Sequence, residues 1–244
     1  MIIAYAKSDI GKAREMNQDA YYISEPSSPI KLYLLADGMG GYKGGEIASN
    51  TAIKCTKSYI ENNFKETPKD RDSLIQLVAS SMEYANMVVY EKSKEDKELE
   101  GMGTTLEVCL IYNNKAYIGH IGDSRIYRIR KDFIRKLTQD HSYVQKLVKD
   151  GTITKEEAEN HPKKNMLMKA LGCNAFVEPD VSVKGFLRDD ILLMSSDGLT
   201  NMVKQEDIFK IAKGNIEKAP IRLVDLANEN GGLDNITVVV IRNM

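Results

Sequence analysis

Ile30-Lys31-Leu32-Tyr33-Leu34-Leu35-Ala36-Asp37-Gly38-Met39-Gly40-Gly41 is an apolar run that ends abruptly in an acid and a cluster of glycines. A short apolar run bounded by turn residues reads as a buried strand, here over 30–36 and stopping at Asp37-Gly38. The pattern recurs. Ala116 to Gly122 lead to Asp123-Ser124, Ile191 to Ser196 lead to Asp197-Gly198, and Asp234-Asn235 stands just before the apolar Ile236–Ile241.

Taken singly, Asp-Gly and Asp-Asn are turn signals and need no further explanation. Taken together, acids at the ends of several buried strands would lose hydration and repel one another. Bound divalent cations would relieve both problems. Carboxylates, a backbone carbonyl and water are hard oxygen donors, which suit Mg²⁺ or Mn²⁺ better than zinc or copper. Two such ions roughly 3.5–4 Å apart activate water and neutralise a phosphoryl group. Glycine after Asp37 and Asp197 lets the backbone approach an ion or substrate closely. The pattern points to hydrolysis at phosphorus.

Upstream, strands are expected at 2–8 and 19–24, separated by a polar loop carrying Gly11, Arg14 and Asn17. Arg14 offers a planar fork of donors suited to phosphate oxygens. Downstream, the glycine-rich stretch leads into a helix over 45–63 with Ala48, Ala52, Cys55 and Tyr59 at helical spacing. A second helix over 70–95 aligns Leu74, Leu77, Val78, Ser81, Ala85 and Val88. The mixed charges from Glu91 to Glu100 fit a solvated face.

Strands at 104–112 and 115–122 flank Asn113-Asn114, a two-residue hairpin turn that asparagine tolerates. Strands at 124–130 and 132–137 continue the meander. Residues 141–172 are helical, Lys-rich and broken by Gly151 and Pro162, with Thr154 and Glu157 spaced as a capping box. Strands at 176–184 and 190–196, a helix over 217–228 and a strand over 235–242 complete the chain. This order suggests sheets covered by helices, not a regular βαβ alternation.

Composition narrows the function. A formal net charge of −1 over 244 residues carries no nucleic-acid footprint. No apolar run approaches the ~20 residues of a membrane span, and the first residues lack a signal-peptide pattern, so a cytoplasmic location is expected. Cys55, Cys109 and Cys173 form no metal-binding or Cys-x5-Arg pattern, and buried, reduced thiols are expected.

Gly11-x-x-Arg14-x-x-Asn17-Gln18-Asp19, Leu35-Ala36-Asp37-Gly38-Met39-Gly40-Gly41, Gly103-Thr104-Thr105, Gly122-Asp123-Ser124-Arg125, Ser195-Ser196-Asp197-Gly198-Leu199 and Asp234-Asn235-Ile236-Thr237 follow one another in this order. In these residues the chain resembles the metal-dependent type 2C (PPM family) protein-serine/threonine phosphatases, specifically the compact bacterial branch. The likeness spans residues 11 to 239.

The resemblance implies an α+β fold, a four-layer α-β-β-α sandwich of two antiparallel sheets flanked by helices. It implies one catalytic domain over 1–244 with a flap at about 142–172. It implies hydrolysis of phosphoserine and phosphothreonine by a metal-bridged hydroxide, without a phosphoenzyme. Asp37 would bridge two Mn²⁺ or Mg²⁺ ions, with the Gly38 carbonyl on one and Asp197 and Asp234 on the other. Asp123, with Asp197, would hold a weaker third ion, and Asp19 would orient metal-bound water. Arg14 would bind the phosphate, making Arg14 and Asp37 the catalytic pair. Expected partners are phosphorylated proteins and a cognate Ser/Thr kinase, with no nucleic acid, no membrane insertion and a monomeric state.

Two positions depart from the family. Met39 stands where animal relatives carry a histidine, and Tyr42 where many bacterial relatives do, so the general acid is open and metal-bound water is the preferred candidate. His120, three residues before Asp123, is expected on the opposite face of its strand, packed and hydrogen-bonded. His141 and His161 are expected to be structural. A non-catalytic phosphoprotein-binding relative would lack Asp37, Asp197 or Asp234. A hydrolase of another phosphoester remains compatible with the residues alone.

Overall fold

The computed structural model describes residues 1–40 and 43–244. Gly41 and Tyr42, including the position discussed above for the general acid, lie outside the described residues.

The chain begins with strands β1 (Ile2–Asp9), β2 (Asp19–Ile23) and β3 (Lys31–Met39), then helices α1 (Gly44–Asn63) and α2 (Arg71–Glu95). Strands β4 (Gly103–Thr104), β5 (Leu106–Tyr112), β6 (Lys115–Ile121), β7 (Arg125–Arg130) and β8 (Phe133–Lys136) follow. Short helices α3 (Tyr143–Lys149) and α4 (Lys155–Glu159) precede β9 (Asp180–Gly185) and β10 (Ile191–Ser195). Helices α5 (Asp197–Thr200), α6 (Gln205–Ala212) and α7 (Ala219–Glu229) and strand β11 (Ile236–Asn243) complete it. One sheet has the order β1-β11-β10-β7-β8 and the other β2-β3-β5-β6-β9, with β4 on β3; every pairing is antiparallel.

Strand alternation builds the four layers. On β3, Leu32, Leu34 and Ala36 pack with α1 and α2, whereas Tyr33 and Leu35 pack with Leu192, Met194, Val239 and Ile241 of the other sheet. On β11, Val238 and Val240 face α6 and α7 while Val239 and Ile241 face inward. Each central strand is buried on both faces, which is why it reads as a continuous apolar run. The expected α-β-β-α sandwich is the observed architecture.

Several local expectations hold. Asn113 and Asn114 both have positive φ, 47° and 56°, as a tight hairpin between β5 and β6 requires. Thr154 and Glu157 form the reciprocal capping box at the start of α4.

Others are corrected. β3 does not stop at Asp37: the ladder continues as Gly38 opposite Thr104 and Met39 opposite Gly103. Strand β9 begins at Asp180, not 176, and α6 was not anticipated between the last strands. On α2 the buried position is Val89, one helical turn beyond Ala85, and Val88 sits half-buried at the flank. Of the cysteines only Cys109 is buried; Cys55 is half-buried and Cys173 exposed.

Leu35, fully buried between the sheets, tests this arrangement. Leu35→Ala is expected to lower unfolding free energy by about 2–5 kcal/mol, by lost transfer energy plus a cavity. Phe133→Ala, on the exposed end of β8, should stay within about 0.5 kcal/mol of wild type. Urea unfolding of both variants provides the comparison.

Candidate metal and phosphate site

The layer between the sheets is apolar in its middle and polar at one end. Asp37 follows Leu35 by two residues, so its side chain continues the inward face of β3. Asp19 stands directly opposite Asp37 in the β2–β3 register. On β5 and β6, Glu107 and His120 are likewise register partners on the inward face, beyond Cys109 and Ile118. Ser196 continues the inward face of β10, and Thr237 that of β11.

Burial and mutual repulsion dominate the acids. Burial first, then the charges of Asp19, Asp197, Asp123 and Asp234, push the Asp37 carboxyl well above its ordinary range. Burial raises Asp19 to about 7, only partly offset by hydrogen bonds from Thr237 and Ser196. Asp123 is pushed up to about 7 by burial, with Asp197 and Asp140 adding to it. Asp197 is raised by burial and by Asp234. One oxygen of Asp19, Oδ1, is buried without a hydrogen-bond partner.

Each remaining acid is set by its own local geometry. Asp197 opens α5 directly after β10, and its Oδ2 accepts from Asn201 Nδ2 at 3.0 Å. Asp123 lies between β6 and β7, where the chain crosses from one sheet to the other. Asp234 accepts from the Asn235 backbone N–H at 2.8 Å and from Arg14 Nη2 at 2.8 Å. Arg14 thus joins the cluster from the N-terminal loop, with 54% of its side chain still exposed.

The structure therefore gathers Asp19, Asp37, Asp123, Asp197, Asp234 and Arg14 at one end of the sandwich. Among the described residues no three carboxylate, imidazole or thiol side chains converge closely enough to ligate one ion. The donor set nevertheless fits a hard divalent cation. It consists of oxygens, one of them buried and unpartnered, and its five acids outnumber Arg14 and Arg125, the arginines whose charge acts on them. The two glycines that follow Asp37 and Asp197 are sterically required. A Cβ on Gly38 would stand 2.1 Å from Gly45 O, and one on Gly198 would stand 2.0 Å from Asn235 O.

Neutral residues hold the acids in place, and these the sequence reading did not single out. Thr105 Oγ1 accepts from the Asp37 N–H at 2.9 Å and bonds Ser124 Oγ at 2.8 Å, linking the chain around Asp37 to that around Asp123. Thr105 N–H donates to Asp37 O at 2.9 Å, and Thr104 Oγ1 to the same oxygen at 2.9 Å. Ser196 Oγ donates to Asp19 Oδ2 at 2.8 Å. The Gly-Thr-Thr and Ser-Ser-Asp motifs carried the signal, but only the fold shows what their hydroxyls touch.

His120 is buried as expected, though on the inward face, the same one as Asp37. Gly122, at φ +111°, follows the end of the strand and turns the chain before Asp123, so the alternation does not carry through to the acid. Both His120 nitrogens are engaged, Nδ1 by Glu107 Oε1 and Nε2 by Gln139 O at 2.8 Å. His141 Nδ1 accepts from Gly122 N–H at 3.2 Å, and Nε2 lies 3.3 Å from Asp180 Oδ2. His161 Nδ1 accepts from Lys163 N–H at 3.0 Å.

A cleft of about 1000 Å³ runs from Asp123 and Asp197 between α3–α4 on one side and Thr200 to Ile208 on the other. The 141–172 segment is tied back at both ends, by Ser142 bridging Leu167 and by Thr104 bridging Leu171.

Comparison with known proteins agrees with this fold. A family model described as protein phosphatase 2C matches residues 11–215. The chain is 38% identical over 243 residues to the serine/threonine phosphatase stp of Listeria innocua, covering 98% of this chain and 95% of that one. Its fold superposes on serine/threonine phosphatase Stp1 from Staphylococcus aureus with a TM-score of 0.92, at 35% identity and 100% and 96% coverage. It superposes on the catalytic domain of serine/threonine protein phosphatase PstP in complex with two manganese ions with a TM-score of 0.87, at 34% identity and 99% and 97% coverage.

The Glu107–His120 pair provides a pH test away from the aspartates. Burial raises Glu107 from 4.5 to about 7, and the nearby His120 charge offsets this only in part. For His120, burial works downward, but the charge and hydrogen bond of Glu107 outweigh it and the net direction is up. Both groups hold protons more tightly folded than unfolded, so their contribution is present at low pH and lost as pH rises. The stability difference between wild type and Glu107→Gln should therefore shift against wild type between pH 4.5 and about 7. Urea midpoints across that window check it, and a flat difference would reject the assignment.

Proposed function

The chain belongs to the protein phosphatase 2C family, and we infer from its site that Asp37, the Gly38 carbonyl, Asp197 and Asp234 hold the two divalent cations of this enzyme. It is a metal-dependent protein-serine/threonine phosphatase, a hydrolase acting on phosphoproteins. The observation that supports the ligand assignment best is the buried, register-paired Asp19 and Asp37, whose shared burial is unfavourable without nearby positive charge.

Bound there, Mn²⁺ or Mg²⁺ supplies Lewis acidity that activates water and neutralises charge on the phosphoryl group. The chain's own residues do the rest. Arg14, half-exposed on its loop, offers its remaining N–H donors to the phosphate oxygens while keeping Asp234. Asp37, buried among the other acids, would be a ligand of the ions. Asp19 keeps one free oxygen for water, with the other fixed by Ser196. Asp123 joins Asp197 at the cleft and would hold a weaker third ion.

Met39 has no proton to give, and His120 and His141 have both nitrogens engaged, so none of these three serves as general acid and water held at the site is the preferred donor to the leaving alkoxide. The whole of 1–244 acts as one catalytic unit, with 142–172 as a flap that bounds the cleft and shapes substrate access. Among the described residues no helix is long and apolar enough to cross a membrane. The enzyme works in the cytoplasm as a monomer and opposes a cognate Ser/Thr kinase.

Hydrolysis of p-nitrophenyl phosphate and of phosphoserine and phosphothreonine peptides should require Mn²⁺ or Mg²⁺ and stop in chelator. Asp37→Ala or Asp197→Ala should lower kcat by about a hundredfold or more. Full activity in chelator would defeat the reading.

Arg14→Ala should raise KM about tenfold by removing a charge-assisted contact worth ~1.5–3 kcal/mol, with Mn²⁺ affinity retained. Steady-state kinetics beside Mn²⁺ titration calorimetry separates the two effects. Unchanged KM would remove the role given to Arg14.

A further inference from the structure

Arg14 sits on residues 10–18, a segment without helix or strand until Asp19. A loop of that kind places a side chain accurately only where its backbone groups are bound elsewhere. The contacts that hold this one come largely from a single side chain. Asn235 Oδ1 accepts from the Gln18 N–H at 2.8 Å. Asn235 Nδ2 donates to Ile10 O at 2.9 Å and to Met16 O at 2.9 Å. One amide thus binds both ends of the loop, with every hydrogen it has already used. Asn235 is itself buried, at 6% exposure.

The neighbouring chain completes the seat. Gly232 O accepts from Lys12 N–H at 2.7 Å and Ala13 N–H at 3.2 Å, just before Arg14. Gly11, at φ +81°, packs so closely that a Cβ there would stand 2.2 Å from Asp234 O. The residue adjacent to Asn235 is Asp234, the acid that Arg14 grips. Segment 232–235 therefore supplies a carboxylate to the metal site and, one residue on, the anchor of the phosphate-binding loop.

We propose that Asn235 is a positioning residue for phosphate binding, acting through Arg14 by fixing the loop that carries it. The inference rests on the reading that Arg14 contacts the substrate phosphate. Asparagine is the side chain the geometry requires, because the site needs one acceptor and two donors at one point. Aspartate keeps the acceptor but sets an oxygen against the Ile10 and Met16 carbonyls. Alanine removes all three hydrogen bonds.

The test is a double-mutant cycle on the Mn²⁺-loaded enzyme, with p-nitrophenyl phosphate as substrate. Asn235→Ala and Asn235→Asp should each raise KM about tenfold with kcat changed less than about threefold, as expected for a displaced binding group. In the Arg14→Ala background, Asn235→Ala should raise KM no further. Additive effects, or a fall in kcat alone, would overturn the proposal while leaving Arg14 in its role. An Arg14→Ala enzyme with wild-type KM would instead overturn the reading beneath it. If the Asn235 variants fail to fold, hydrogen exchange on the wild-type protein decides: the Gln18 amide should be protected well beyond the Arg14 and Glu15 amides. Equal exchange would sink the anchor.

Discussion

Asp19 and Asp37 face one another across neighbouring strands in the gap between two sheets, and the rest of the molecule is arranged around that pairing. Two carboxylates cannot share a buried, weakly hydrated space as anions without nearby positive charge. The gap is filled by Leu35, Ile118, Met194 and Val239 in its middle, so the acids can stand only at its end. There the strands turn over and loops from both sheets meet. The location of the chemistry follows from the width and apolarity of the sandwich core.

Neutral groups then fix the acids in place. Thr105 ties the backbone at Asp37 to Ser124, beside Asp123, while Ser196 holds Asp19 and Asn201 holds Asp197. Hydroxyl and amide donors orient a carboxylate without neutralising it, which preserves its charge for a cation. A lysine or arginine in those positions would have satisfied the acids and removed the need for metal. Arg125 and Lys136 show the contrast: both grip Asp140, and hold its carboxyl below the ordinary range against the opposing effect of burial. Asp140 is thereby spent on structure.

Much of this was legible in the sequence, and the failures are instructive. Apolar runs bounded by acid gave the strands and Asp37, Asp123, Asp197 and Asp234, because burial on both faces leaves a continuous hydrophobic signature, while Asp19 stood out only through the family motif. The family motifs gave the sandwich. The boundary of β3 was misplaced because Asp-Gly reads as a turn, whereas the ladder is carried on by Gly103 and Thr104 from a distant stretch. Helix α6 was missed although Ile208 and Ala212 are spaced to bury one face, since only eight residues carry the pattern. His120 was assigned to the wrong face because one glycine at positive φ resets the alternation. The links from Thr105 to Asp37 and from Asn235 to Gln18 span more than 60 residues, and no local pattern encodes them.

The contrast between strand-borne acids and a loop-borne arginine has a physical logic. Cations tolerate little error in ligand position, so their carboxylates belong on or beside strands locked in a sheet. A phosphate attached to a protein arrives in many orientations, and a guanidinium with several donors on a long stem can meet it from a less rigid base. Freedom of that kind would cost binding if the whole loop moved. Packing residues 10–18 against 232–235 resolves the conflict: hydrogen bonds tie the backbone of the loop, while the Arg14 side chain stays half-exposed. The ion pair between Arg14 and Asp234 then joins the two halves of the site. Asp234 and Arg14 are thus held in one frame, so that displacing either one moves the other.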